Sequence, residues 1–432
     1  MTVRRTVHLA ARLPGDGRAA VGTDPCSGSR IAFASPAQQA RTAERGLFDF
    51  LLLSEQLRLP EHRGRIHDLD AAGWPEPLTL LNALAGVTER LGLAATVHTA
   101  YSEPYELARR LATLDHLSEG RAAWHAETSS DAFTGANFRH GGRADARDRF
   151  AQAVEFIGLA RQLWDSWTAD GVSRPFAHQG RHFDIAGEFG LPRPPQGHPV
   201  VILAGDSDED RECAAASADV LLARHRSVAA GRAFAADVRR RLAAYGRATE
   251  DLKIMSGVTV VLGDTAAEAQ ERAAEIRRQQ ITPQGALYVL ERVWGADLCG
   301  HDPDGPLPRT DPVPDPAFTP GRGRHGDRVA LAGTWRALAK EKGLSIRETV
   351  IEASGRQSFI GTPEAVAAEL QAYVREDAAD GFVLLPHRTP GCLEEFVDRV
   401  VPLLQERGAF RTEYQGTTLR SHLGLPDPPG EG

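Results

Sequence analysis

The sequence predicts a (β/α)8 barrel carrying two insertions. Three observations predict it: eight short apolar runs recur along the chain, segments of helical period separate them, and two Gly/Pro-rich stretches interrupt the rhythm without ending it. A doubly wound open sheet is the second arrangement compatible with the same alternation. A length of 432 residues suits one such barrel. We read the chain as a single domain over 1–432, with insertions near 176–198 and 296–328.

Taken in order, Thr6 to Ala11 is the first strand. A Gly/Pro/Ser-rich loop leads to the helix Pro36–Arg45, then to Phe48–Leu53, a strand ending at Ser54 and Glu55. Two complete units follow between Pro75 and Ser130. Leu80, Leu81, Leu84 and Val87 give Glu76–Arg90 one buried helical face. Leu91–Val97 is a compact strand, Glu103–Leu117 a second helix, and Arg121–Ala126 the fourth strand. Ala144–Trp167 is a long amphipathic helix. His178–Pro199, too rich in Gly and Pro for a helix, reads as a hairpin and loop. Val200–Ala204, Asp219–Leu222 and Leu252–Leu262 are strands five to seven, with helices at Asp208–Ser217 and Ala229–Tyr245. Ala266–Arg292 reads as one helix and Gly300–Gly326 as a mobile excursion or lid. Gly381–Leu385 is the eighth strand and Leu393–Arg407 the closing helix. There is no internal repeat.

The bulk properties narrow the class. Net charge is -8 with both signs interspersed, which gives no electrostatic reason to expect nucleic acid or a membrane surface. Cys26, Cys213, Cys299 and Cys392 lie far apart and form no metal-ligand pair, as expected of free thiols in a reducing compartment. No apolar run is long enough to span a bilayer, and the N-terminus lacks a signal-peptide core. A soluble, cytoplasmic protein is expected.

In parallel sheets with crossover helices the chemistry sits at the carboxyl ends of the strands. Thr96, His98, Thr99, His125, Glu127, Thr128 and Ser129 stand there. Side chains alternate along a strand, so Thr96 shares a face with His98, and His125 with Glu127. His225 and His387 also follow strands and are candidates to line the mouth. His62, His67, His116, His140, His178 and His182 read as surface or structural residues, as do the charges between Asp302 and Asp311. Trp164 and Trp167 read as packing residues.

The string PEPLTLLNALAGVTERLGLAATVHTAYSEPYELARRLATLDHLSEGRAAW resembles the bacterial-luciferase-like superfamily, in its branch of nitrilotriacetate and dibenzothiophene-sulfone monooxygenases. AERGLFDFLLLSE, RQLWDSW, GRHFDIAGEFGLPRPPQGHPVVILAGDS, FIGTPEAVAAEL, DGFVLLP and FRTEYQGTTLRSHLGLP extend the likeness over nearly the whole chain. The resemblance implies a TIM barrel that uses FMNH2 from a separate flavin reductase, and O2, to oxygenate a small organic substrate, as a homodimer. It implies flavin contacts from Glu55, Thr96, Thr99, Phe150, Asp206 and Ser207, with His98, His125 and Glu127 as catalytic candidates.

Several of these positions depart from the pattern. Members have Asp where Glu55 stands, Thr-x-Ser-Thr where Thr96–Thr99 includes His98, and Trp-Asn-x-Val-Thr-Ser where Trp124–Ser129 includes His125 and Glu127. A His-x-x-Arg-Tyr pattern becomes Ala146, Arg149 and Phe150. Ala-Gly-Ser-Ser-x-x-Gly, whose amides and serines hold the phosphate at a helix N-terminus, becomes Ala204 to Asp210 with four carboxylates. A second reading therefore stands beside the first: a flavin-independent enzyme in which Glu55, His98, His125, Glu127, Asp206, His225 and His387 supply acid–base groups or hold a divalent metal. A non-catalytic binding homologue is the third.

Overall fold

A computed structural model describes residues 6–13, 31–55, 57, 61–62, 65–66, 75–128, 137–138, 148–168, 171–225, 227–313, 328–354, 358–387 and 391–428. Eight parallel strands close into a barrel: β1 (His8–Leu13), β2 (Phe50–Leu53), β3 (Gly92–His98), β4 (Ala122–Glu127), β5 (Val200–Ala204), β6 (Val220–Ala223), β7 (Lys253–Leu262) and β8 (Gly381–Leu384). Each strand pairs with its sequence neighbours, β6 pairs with β7, and β8 closes on β1. The strands read as continuous apolar runs because both faces are buried, one in the barrel and one under helices. Ala10, Phe50, Leu52, Ala94, Ala123, Ile202, Val220, Met255 and Val383 fill the interior. Their neighbours in sequence, among them Leu9, Leu51, Leu93, Trp124, Val201, Leu221 and Phe382, pack against the helices.

The end of the barrel where the strands begin is sealed by a segment that follows the last strand. Leu419, Leu423 and Leu425 join the interior cluster, and Leu419 N donates to Gly120 O at 3.0 Å. Gly92 opens β3 beside this seal; a Cβ there would lie 2.6 Å from Leu419 Cδ1 and 2.7 Å from Asp49 O. Fully buried Asp49 ties the layer together. It accepts from Leu9 N at 2.8 Å, from His8 Nδ1 at 3.1 Å and from the Arg411 guanidinium. Burial alone would raise its carboxyl, but Arg411 and His8 hold it down at about 2. Tyr414 donates to Phe48 O at 2.8 Å.

The expected elements recur with two corrections. Ala266–Arg292 is two helices, Ala266–Gln280 and Pro283–Trp294, because Pro283 cannot donate to the preceding turn and Thr282 Oγ1 caps the new helix through Gly285 N at 3.0 Å. The closing helix likewise divides into Cys392–Arg399 and Val401–Glu406. The stretch read as a mobile excursion or lid is held by hydrogen bonds over its described part, up to Val313. Ile346 N donates to Gly305 O and Arg347 N to Pro303 O, both at 2.8 Å, and Trp294 Nε1 reaches Thr310 O at 2.9 Å. Beneath it Leu287, Leu290, Trp294, Trp335, Ile346 and Val350 form a separate apolar cluster. Residues 314–327 lie outside the described set. The sequence reading also lacked the short strand Ser358–Gly361, which extends the sheet beside Thr259–Leu262.

The insertion hairpin is present as Phe176–Gln179 paired antiparallel with Asp184–Gly187. Glu155, on the helix Arg149–Asp165, fastens it: its carboxylate accepts from His178 Nε2, His182 Nδ1, His182 N and Phe183 N. Burial would raise Glu155, and these hydrogen bonds hold it at about 2. Trp164 and Trp167 pack as expected, donating to Ala108 O and Phe189 O. Among the described residues no helix is long and apolar enough to cross a membrane.

Candidate active site

Alternation along the strands decides which side chains look into the barrel mouth. Ala94 and Ala123 belong to the interior cluster, so Thr96 and His98 on β3, and His125 and Glu127 on β4, share the interior parity. The β3–β4 register sets Thr96 beside His125 and His98 beside Glu127. Thr96 Oγ1 lies 3.1 Å from His125 Nδ1, and both side chains are buried. Glu127 is 6% exposed and its backbone carbonyl accepts from Thr99 Oγ1 at 3.3 Å. Glu127 follows His125 by two residues on the same face of β4, so a carboxyl and an imidazole share the buried interior of the mouth. His98 is half-buried, 5.8 Å from the Tyr101 ring, which in turn stacks on Phe138 at 4.5 Å. Thr128 is buried at the end of β4; Ser129 lies outside the described residues.

Two mouth residues escaped the sequence reading. Arg12 and Ser54 continue the interior parity of Ala10 and Leu52, and Arg12 Nε donates to Ser54 Oγ at 2.7 Å. The signal was one more period-two step along the first strand, which runs past Ala11. Glu55 follows Ser54, half-buried. On the other side of the mouth His225 is 5% exposed, its ring 4.5 Å from Phe234, and burial pushes its pKa down against the pull of Asp206. His387 Nδ1 lies 3.3 Å from Cys392 Sγ. Among the described residues the only metal-sized group of donors is Glu291, Asp297 and Cys299, away from the strand ends. The metal form of the flavin-independent reading thus finds no such cluster at the mouth among these residues.

The turn after β5 is the natural anion seat of such a barrel: a glycine, a serine and the N-terminus of the helix Asp208–Ser217. Here it is filled from within. Asp210 Oδ2 accepts from Ser207 N at 3.0 Å and from Ser207 Oγ at 2.7 Å, while Asp210 N donates to Ser207 Oγ at 3.1 Å. A Cβ on Gly205 would overlap the Asp210 carboxylate. Asp206 Oδ1 accepts from Arg224 N at 3.0 Å. Arg211 is engaged by Asp208 and Asp237, and Arg241 by Asp208, Asp237 and Glu212. This donor set does not fit a phosphate dianion, because the Ser207 amide and hydroxyl already donate to a carboxylate, Arg211 and Arg241 are paired with others, and four carboxylates crowd the turn. Phe150, half-buried, offers no hydroxyl and carries the Arg149 guanidinium 4.6 Å above its ring. Ala146 lies outside the described residues.

Three of the histidines read as surface or structural make contacts with the scaffold. His178 and His182 bracket Glu155, and His116 Nε2 lies 3.2 Å from Pro192 O. His67 and His140, like Cys26, lie outside the described residues. Cys213, Cys299 and Cys392 are free thiols.

Comparison with known proteins adds the family. A family model described as luciferase-like monooxygenase matches residues 8–381. The chain belongs to the luciferase-like monooxygenases. It is 40% identical over 418 residues to nitrilotriacetate monooxygenase component A of Aminobacter aminovorans, covering 91% of this chain and 90% of that protein. It is 34% identical over 419 residues to dibenzothiophene-sulfone monooxygenase of Rhodococcus erythropolis, again covering 91% and 90%. Among solved structures, EDTA monooxygenase from Chelativorans sp. BNC1 superposes with a TM-score of 0.79 at 28% identity, over 98% of this chain and 99% of that one. As a luciferase-like monooxygenase the chain is an enzyme, and the carboxyl ends of the strands are where such a barrel places its chemistry.

Proposed function

We propose that this luciferase-like protein is the oxygenase component of a two-component system. It would insert one atom of O2 into a small organic substrate, with electrons carried by a reduced flavin from a separate reductase. The observation that carries the reading is the buried Thr96–His125 contact beside Glu127 inside the mouth. A reduced flavin supplies the electrons that O2 activation needs. The chain's own part is to line and dry the reaction space and to manage protons. Glu55, Thr96, His98 and Thr99 border the space, His125 stores or delivers a proton through the ring nitrogen not facing Thr96, and Glu127 balances its charge. The reading includes a homodimer in the cytoplasm, folded as one domain.

The seat filled by Asp210 favours a second reading, acid–base catalysis by His125 and Glu127 without flavin. Titration of the purified protein with oxidised and dithionite-reduced FMN and riboflavin, followed by fluorescence and calorimetry, separates the two. Micromolar binding of any of these ligands supports the monooxygenase; binding of none leaves the flavin-independent enzyme.

A further inference from the structure

Resting on the flavin reading above, we propose that Asp210 makes this enzyme select a reduced flavin with an uncharged tail, riboflavin, over FMN.

The argument begins with what each tail can do in the turn after β5. A phosphate dianion offers only acceptors and needs N–H groups, hydroxyls or cations to face it. In this turn Ser207 N and Ser207 Oγ are both donated to Asp210 Oδ2, and Asp210 N to Ser207 Oγ. The space above Gly205 is taken by the same carboxylate. Asp206, Asp208 and Glu209 flank it with further negative charge. The arginines of the adjoining helices are held by Asp208, Glu212 and Asp237. A dianion entering here meets repulsion from these carboxylates and finds the Ser207 amide and hydroxyl already engaged by one of them. A ribityl chain ending in a hydroxyl brings donors instead, and a carboxylate is the acceptor a hydroxyl donates to most strongly. The arrangement that repels the phosphate is therefore competent to bind the alcohol. The ring end is unaffected, because Thr96, His98 and His125 lie on β3 and β4 while Asp210 lies on the helix after β5.

The test compares FMN with riboflavin, oxidised and dithionite-reduced, by anaerobic fluorescence titration and calorimetry. It uses the full-length protein, Asp210→Gly and Asp210→Asn. In the unaltered protein riboflavin binds at least tenfold more tightly than FMN. Asp210→Gly lowers that ratio at least tenfold, chiefly by tightening FMN. Asp210→Asn, which keeps the helix cap without the charge, moves it in the same direction by less and covers the case in which the glycine variant fails to fold. Equal or tighter binding of FMN by the unaltered protein overturns the inference and leaves the flavin reading standing. So does a ratio that neither folded variant moves. If neither flavin binds any of the three proteins, the flavin reading itself falls, and this inference with it.

Discussion

His125 shows what one polar side chain demands at 2% exposure. Its Nδ1 is met by Thr96 Oγ1 at 3.1 Å, and removing that hydroxyl takes a partner from a dry nitrogen. Thr96→Val is expected to lower stability by about 1–3 kcal/mol, read as a fall in the denaturant midpoint, with Thr96→Ser restoring most of it. A Thr96→Val protein as stable as its parent would show that the contact contributes nothing. A thiol in the same interior responds differently: burial pushes Cys213 up to about 12, whereas Cys299 is exposed. Iodoacetamide at pH 8 should therefore modify Cys299 well before Cys213, as peptide mass mapping would reveal; equal rates would contradict the burial. At this scale the sequence was legible where period-two alternation applied, which is why Thr96, His98, His125 and Glu127 could be placed on their faces. It marked Asp210 as a departure at the phosphate position but not what its carboxylate does there. A carboxylate three residues into a helix reads the same whether it waits beside a ligand or caps its own serine, and only the position of its oxygens separates the two.

The hairpin and its clasp are the element whose behaviour follows most directly from charge. Glu155 accepts two imidazoles and two backbone amides across the junction between the hairpin and the helix Arg149–Asp165. Glu155→Gln keeps the shape, loses the charge-assisted bonds and presents an amide that cannot satisfy four donors. We expect faster hydrogen exchange over residues 176–187 by mass spectrometry, with protection in β3 and β4 unchanged; unchanged hairpin exchange would refute the clasp. Elements of this kind were partly legible. Gly and Pro marked the hairpin, but the pairing of His178 and His182 with Glu155 spans more than twenty residues and leaves no local trace. The division at Pro283 was written in the sequence as a Thr-Pro start signal; the apolar period running through it on both sides masked the break. The described part of the segment read as an excursion or lid teaches the same lesson. Pro and Gly announce irregular backbone, and irregular backbone can be held as firmly as a helix when arginines such as Arg336, donating to Pro308 O and Thr310 O, collect its carbonyls.

Across the whole molecule the sealed end of the barrel governs the response to acid. His422 is buried beside Tyr414, its ring centroid 4.7 Å away. Burial first, then Arg411, lowers its pKa from 6.5 to about 4. The folded state thus binds fewer protons than the unfolded chain between these values. The stability His422 contributes is complete above pH 6.5 and is lost as pH falls toward 4, on the order of 3 kcal/mol in all. Asp49, at about 2 against an ordinary 3.8, adds a second loss at lower pH, present above 3.8 and gone once pH passes below about 2. Thermal melts between pH 7 and 4 should show the first fall, and His422→Gln should flatten it; an unaltered slope would exclude His422 as its source. Gly92→Ala tests the same end sterically, since the new methyl would meet Leu419 and the Asp49 carbonyl. A loss of about 1–3 kcal/mol is expected.

The seal also fixes an order of events during synthesis. The inner layer of β2, β3 and β4 is made early, yet Leu419, Leu423 and Leu425, which complete it, leave the ribosome only after all eight strands. Until they arrive, a cylinder with every stave in place still has a wet floor. Between the completion of the last strand and the arrival of these leucines the barrel floor stays exposed, a window in which chaperone capture and premature association compete with folding.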